Sequence, residues 1–244
     1  FEEEYGMERR VNRLNWLIGG AQGSGVDSAA SMFAKACAFG GLHVYGQREY
    51  YSNIMGEHSY FQIRVLNEPV RATSDNTHLI VSFDAETVFM HARNVVPYGG
   101  IIYDPKLSET SLDRLPTMDE RVREDLKAYF EEHGTGNTLG DLLNIQSERG
   151  VYLYPVPYDE ILNALAEETG QSLSKLQRAT NTMAVAASCS LLKYDEKWLE
   201  MALKDVFKDK QKIVDMNVQV GQAVDKHMKD AFSEEFFCKL EPIE

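Results

Sequence analysis

The sequence predicts an α/β fold: three layers, with a mostly parallel sheet between helices, and a helical C-terminal extension. Three observations predict it. Short apolar runs alternate with stretches of helical period over residues 14–155. A glycine-rich loop separates the first apolar run from the first helical stretch. The run LIVSF at 79–83 is nearly continuous in apolar character, as expected of a central strand covered on both faces. Strand, crossover helix, strand is the connectivity of a parallel sheet.

The elements follow in order. Residues 14–18 (LNWLI) read as a strand ending at Gly19. From Val26 to Phe39, Val26, Ala29, Ala30, Phe33, Ala36 and Cys37 share one face at helical spacing, and Gly40-Gly41 end the helix. Residues 42–45 form a second strand, and 60–66 (YFQIRVL) alternate as a strand with one wetter face. After 79–83, Asp84 caps a helix reaching Ala92, its carboxylate accepting orphan backbone N–H bonds. Residues 101–103 and 151–154 are further strands. The polar stretch between them, 105–149, carries helices near 119–132 and 138–148 and reads as an insertion or a peripheral helical layer. From Tyr158 onward the pattern is wholly helical, with a buried stretch at 182–192 and half-solvated helices near 198–207 and 213–228.

Composition narrows the function. The 244 residues hold 38 acidic against 25 basic side chains, a net charge of −13 that argues against duplex nucleic acid. Basic residues do not interleave with aromatics, which argues against single strands too. No run approaches the ~18 apolar residues of a membrane span. Residues 1–10 lack the features of a signal peptide. Cys37, Cys189 and Cys238 are odd in number and far apart, which fits a reducing cytoplasm better than a disulfide framework. They form no C-x-x-C, so neither an iron–sulfur cluster nor a structural zinc is expected here. The six histidines show no ligand spacing, and His78 and His91 read as sheet-edge and helix-surface residues. No G-x-S-x-G elbow occurs. No catalytic residue and no metal site is expected.

Two loops remain as candidate binding elements. The first is Gly19-Gly20-Ala21-Gln22-Gly23-Ser24-Gly25. Glycines there permit positive φ and close approach, and the following helix offers free N–H groups and a positive dipole end. The spacing matches neither the dinucleotide fingerprint nor the Walker loop, and Asp27 in the first turn opposes a phosphate beside it. Tight-turn packing and anion contact both account for the glycines. The second loop runs from Arg48 through Tyr50, Tyr51, Ser52 and Asn53 to His58 and Ser59, with Arg64 on the strand beyond. Its tyrosines, methionine and arginine suit a protein interface, and its position after a strand suits a ligand.

The words IGGAQGSGVDSAA (18–30), YGQREYYSNIMGEHSYFQIRV (45–65), SFDAETV (82–88) and RATNTMAVAASCSLL (178–192) occur in an order that resembles the gamma domain of 2-oxoacid:ferredoxin oxidoreductases. The likeness is to the archaeal-type large subunit, in which a gamma domain precedes an alpha domain, and KLEPIE (239–244) resembles the lead-in to that alpha domain. The resemblance implies a Rossmann-like sheet and an assembly that oxidatively decarboxylates a 2-oxoacid, reduces ferredoxin and acylates coenzyme A. Thiamine diphosphate, magnesium and the [4Fe-4S] cluster are then expected with the partner beta subunit, and the chain is not expected to act alone. By the same resemblance Gly19, Gly20, Gln22, Gly23, Ser24 and Gly25, with Arg48, Tyr51, Ser52, Asn53, His58 and Ser59, are candidates for the coenzyme A side or for subunit contact. The implied division is a charged leader (1–13), a gamma domain (14–207) and a helical linker (208–244) towards the alpha domain. The start at Phe1 and the apolar run before Pro242 read as those of a fragment. A free-standing nucleotide-binding module and a non-catalytic assembly module are the alternatives.

Overall fold

A computed structural model describes residues 9–50, 58–208 and 210–243. In chain order the elements are β1 (Arg10–Val11), β2 (Arg13–Ala21), α1 (Val26–Phe39), β3 (His43–Tyr50), β4 (His58–Leu66), β5 (Thr77–Ser82) and α2 (Ala85–His91). Then come β6 (Val95–Tyr103), α3 (Glu120–His133), α4 (Leu139–Glu148), β7 (Tyr152–Pro155) and α5 (Tyr158–Thr169). The chain continues through α6 (Leu173–Leu176), α7 (Thr180–Leu191), α8 (Glu196–Phe207), α9 (Gln211–Ala231) and β8 (Cys238–Lys239).

Six strands form one sheet in the order β3-β4-β2-β5-β6-β7. Strands β2, β5, β6 and β7 are parallel, and β4 runs antiparallel to both β2 and β3. The sheet is therefore mostly parallel, with helices on both faces, as the alternation of runs predicts. On one face α1, α5, α7, α8 and α9 pack over Leu14, Trp16, Ile18, Leu79 and Val81. On the other, α2, α3 and α4 cover Leu17, Ile80 and Ile101. Strand β5 sends Leu79 and Val81 to the first core and Ile80 to the second, which is why its run is apolar without alternation. In β4, Ile63 and Val65 are buried while Gln62 and Arg64 are half-exposed, the wetter face that alternation implies. The stretch 105–149 supplies the outer layer of the second face, burying Leu126, Phe130, Leu139 and Leu142.

Caps set most boundaries. Asp84 accepts from Thr87 N at 2.9 Å. Thr138 and Asp141 form a reciprocal capping box on α4. Asp119 and Asp195 cap α3 and α8. The last stretch departs from the wholly helical expectation. Cys238–Lys239 is a strand pairing in parallel with Arg10–Val11, because two short segments satisfy each other's backbone groups across the length of the chain. Helix α9 buries Val214, Val220, Val224 and Met228 in the same core as α1 and α7, and Phe236, Phe237 and Leu240 are buried beyond it.

Trp16 ties three of these elements together. Its ring stacks on Phe33 of α1 at 4.3 Å, and its indole N–H donates to Ser188 Oγ of α7 at 3.0 Å. Ser188 in turn donates to Ala184 O at 2.9 Å. Replacing Ser188 by Ala leaves a buried indole N–H without an acceptor, so S188A is expected to cost ~1–3 kcal/mol in urea denaturation. Pairing it with W16F removes the orphan donor, so the double variant should lose less than the sum of the two single variants' losses.

Candidate functional site

The register places the two candidate loops side by side. Gly20 pairs with Ser59 and Ala21 with His58 across β2 and β4, while Tyr50 at the end of β3 pairs with Ser59. The glycine loop, the end of β3, His58 and Ser59 thus share the edge of the sheet where β2 and β5 end. Tyr51, Ser52 and Asn53 lie outside the described residues. This is the edge at which open α/β sheets take ligands.

Within the glycine loop, three positions are spoken for by packing. A Cβ on Gly19 would stand 2.5 Å from Thr87 Cγ2. One on Gly20 would meet Ser24 Oγ at 2.7 Å and Phe83 Cβ at 3.0 Å. Gly25 has φ +97° and lies against Asn181, whose Nδ2 a Cβ would approach to 2.1 Å. Gly23, at φ +93°, has nothing within 4 Å of its Cβ position, and Gly23 and Ser24 are exposed. Ser24 N–H closes the turn on Ala21 O at 2.9 Å, and Gln22 is half-buried. The packing reading accounts for Gly19, Gly20 and Gly25, while Gly23 and Ser24 form an exposed tip. Asn181 is a site residue that sequence reasoning missed. No spacing marks it, and only the fold carries the start of α7 to Gly25.

Gly25 is the N-cap of α1 and, being a glycine, provides no side-chain cap to the first turn. The first-turn N–H groups and the dipole's positive end suit an acceptor. Arg48 lies over this turn, its guanidinium 3.1 Å from the Asp27 carboxylate. Both are well exposed, so the pair contributes little stability. Its effect is local: Arg48 offsets the carboxylate that would otherwise repel an anion.

At the start of β4, His58 meets His91 with their Nε2 atoms 3.0 Å apart, one donating and the other accepting. The Tyr60 ring lies 4.3 Å from that of His91. Burial lowers the pKa of His58, against an upward pull from Asp84, and lowers that of His91 to about 3, with the neighbouring imidazole adding to the effect. Both rings are therefore neutral at physiological pH. Ser59 Oγ is buried beside them, with no hydrogen-bond partner among the described residues. The helix-surface and sheet-edge reading of His91 and His78 is corrected here, since both are buried. His91 turns inward from a short helix under β4. His78 accepts from Asn15 N–H at 3.0 Å, and burial followed by the charges of Arg10 and Arg64 lowers its pKa to about 4.

Among the described residues, no three His, Cys, Asp or Glu side chains are placed to hold a metal. Cys37, Cys189 and Cys238 are all buried, and burial pushes each thiol up, Cys189 and Cys238 to about 12. Such thiols do not fit a cluster that binds thiolates. No helix among the described residues is long and apolar enough to cross a membrane.

Two outcomes are expected from this geometry. Gly25→Ala forces a side chain into a positive-φ position against Asn181, and should cost roughly 1–3 kcal/mol. Gly23→Ala meets only the φ penalty, so it should cost less, and Asn181→Ala should recover part of the Gly25→Ala loss in thermal unfolding. The second outcome concerns acid. Folded pKa values below the unfolded value of ~6.5 mean that the unfolded chain binds more protons, so the contribution is whole above pH ~6.5. It is lost as pH falls from there towards the folded values, about 4 for His78 and about 3 for His91. Each such histidine adds a slope of up to ~1.4 kcal/mol per pH unit. H91Q should flatten the dependence between about pH 6.5 and pH 4.5, measured by urea titration at each pH.

Comparison with known proteins agrees with this fold. Residues 15–224 match the family described as Pyruvate ferredoxin/flavodoxin oxidoreductase. The chain is 39% identical over 197 residues to the 2-oxoacid:ferredoxin oxidoreductase subunit alpha of Saccharolobus solfataricus, covering 80% of this chain and 31% of that protein. It is 33% identical over 221 residues to 2-oxoacid:ferredoxin oxidoreductase 2, subunit alpha, of Aeropyrum pernix, covering 91% and 34% respectively. The chain thus spans about a third of the length of these curated relatives. Among solved structures, a 2-oxoglutarate:ferredoxin oxidoreductase from Magnetococcus marinus, with 2-oxoglutarate, coenzyme A and succinyl-CoA bound, matches with TM-score 0.69 at 20% identity, over 96% of this chain and 34% of that one. The gamma subunit of a keto/oxoacid ferredoxin oxidoreductase from Geobacter sulfurreducens matches with TM-score 0.57 at 15% identity, over 89% of this chain and 99% of that one. With most of its length matched in sequence and its three-layer sheet shared with these structures, the chain belongs to the pyruvate ferredoxin/flavodoxin oxidoreductase family.

Proposed function

We propose that the chain is the gamma portion of a 2-oxoacid:ferredoxin oxidoreductase, and that the glycine loop with Arg48 forms part of its coenzyme A side. The gamma assignment is supported by the solved gamma subunit, nearly all of which this chain covers, and by the match to about a third of fused-size relatives. On this reading the rest of the assembly comprises an alpha domain, towards which 208–244 leads, and a beta subunit. Thiamine diphosphate, magnesium and the [4Fe-4S] cluster belong to that rest, which decarboxylates the 2-oxoacid and passes electrons to ferredoxin. The buried thiols of this chain do not fit the cluster, and no step runs through them.

The observation that carries the ligand reading is the first turn of α1. Its N-cap is a glycine with no side chain to offer, the loop in front is exposed at Gly23 and Ser24, and a guanidinium stands over the turn. A phosphate or pyrophosphate there accepts from backbone N–H and from Arg48, as an anion at any open helix N-terminus does. This chain's part is then to bind and orient the acceptor, with no proton moved by its own residues. His58 and Ser59 support the loop from below.

A second reading, assembly alone, is favoured by the Arg48–Asp27 pair, in which the guanidinium is already engaged. Kinetics of the assembled enzyme separate the two. After co-expression with the candidate beta subunit and the alpha domain, Arg48→Ala is expected to raise KM for coenzyme A about tenfold with kcat for ferredoxin reduction little changed. An unchanged KM in an intact complex, or loss of subunit association without a change in KM, overturns the coenzyme A role.

A further inference from the structure

We propose that the opposite edge of the sheet, where β2 begins, holds a binding site for a small polyanion: a ligand carrying two or more phosphate or carboxylate groups. A cavity of about 280 Å3 lies there, lined by Arg10, Arg13 and Arg64 together with Asn15, Ser74 and Asn76. The register explains the convergence. Arg13 and Asn15 are two apart on β2 and share a face, and Arg64 of β4 lies directly opposite Asn15. Arg10 enters from β1. The connection 67–76 closes over this face, held by Asn15 Nδ2 donating to Asn76 O at 2.8 Å and by Arg64 donating to Ala72 O at 3.4 Å.

Three guanidiniums in one cavity demand compensation, and this protein has acidic side chains in excess. Elsewhere it uses them: Arg93 pairs with Asp125, Arg123 with Glu120, and Arg9 with Glu235. Among the described residues Arg10, Arg13 and Arg64 have no such partner. Arg64 donates to a backbone carbonyl, and Arg10 stands 3.3 Å from His78 Nε2, the nitrogen that keeps the ring proton while Nδ1 accepts from Asn15 N–H, so it makes no bond there. Glu68 is the one carboxylate among the described lining residues, and it makes no ion pair with them. The field is felt inside the fold, where the buried His78 stays neutral under the charges of Arg10 and Arg64. Leaving cations unpaired and adjacent costs free energy through mutual repulsion, and a bound polyanion relieves it, with fork-shaped donors that suit phosphate and carboxylate alike. The volume fits a pyrophosphate or a citrate and sits at the lower end of small-ligand sites, ~300 Å3. It does not fit a folded partner.

The site is separate from the glycine loop. Arg13 and Ala21 stand at opposite ends of β2, roughly 26 Å apart at ~3.3 Å per residue, so the inference does not rest on the coenzyme A reading. Calorimetric titration of the 244-residue chain with pyrophosphate, tripolyphosphate and citrate tests it, at about 50 and 200 mM NaCl. Saturable one-to-one binding is expected, weaker at the higher salt. Arg13→Gln should weaken it at least about tenfold and the Arg13→Gln/Arg64→Gln pair abolish it. The Arg13 side chain makes no bond among the described residues, so R13Q should keep the wild-type melting temperature. A preference for tripolyphosphate assigns a phosphate ligand and a preference for citrate a polycarboxylate, and either supports the site. Absence of saturable binding overturns it. So does equal weakening by the exposed-helix control Arg121→Gln, and so does tighter binding of a hexaglutamate peptide than of all three small anions.

Discussion

Burial of Trp16 is the interaction on which the rest of the structure depends. The indole sits on the central strand, stacks on the first helix and hydrogen-bonds to the late helix α7. A sheet strand, its crossover helix and a segment more than a hundred residues later are thereby held at one distance. That distance sets what happens at the end of the same strand. Beyond Ile18 the chain has no room for side chains, because Thr87 and Phe83 press in from one side and Asn181 from the other. Glycines at 19, 20 and 25 are the consequence of close layers. Within the loop, the tip at 23 and 24 is left exposed.

The same closeness governs the electrostatics. Layers this tight exclude water from the ends of β4 and β5, so the histidines found there are neutral and paired with one another or with backbone. The charged groups are pushed to the two rims of the sheet. At the carboxyl rim Arg48 and Asp27 balance over an uncapped helix. At the amino rim three arginines stand without a counter-charge among the described residues. The two rims at opposite ends of the central strand are thus the places where cationic side chains gather in an acidic protein.

Much of this fold is legible in the sequence, and the limits have physical causes. Helix α1 is readable end to end because Gly25 and Gly40 bracket a clean apolar face. The caps Asp84, Asp119 and Thr138 likewise announce themselves through their chemistry. Strand β2 extends through Gly19 and Gly20, and β6 back to Val95, because strand pairing there needs only backbone groups that carry no side-chain signal. Strand β8 is two residues long and exists only through β1, a partner that no local pattern reveals. His78 and His91 look like surface residues by type, and tertiary burial overrides type. For the site, the glycine loop and the Arg48 loop stand out as words, and the sheet register then brings them together. Asn181 and the amino-rim arginines do not stand out, since they come from separate segments whose meeting depends on strand order.

The pairing of β1 with β8 has a further consequence for how the chain opens. Beyond Cys238 the backbone is fastened twice more, by Leu240 N–H to Leu192 O at 3.0 Å and by Ile243 N–H to Gly40 O at 2.8 Å. Amides outside the main helices and strands commonly exchange with solvent by local opening. Here each donates to a carbonyl anchored on the main core, and Phe236, Phe237 and Leu240 must leave that core before the segment can peel away. Amide protection at 240 and 243 therefore belongs to the cooperative unit of α1 and α7, and deuterium uptake there reports on opening of the whole domain.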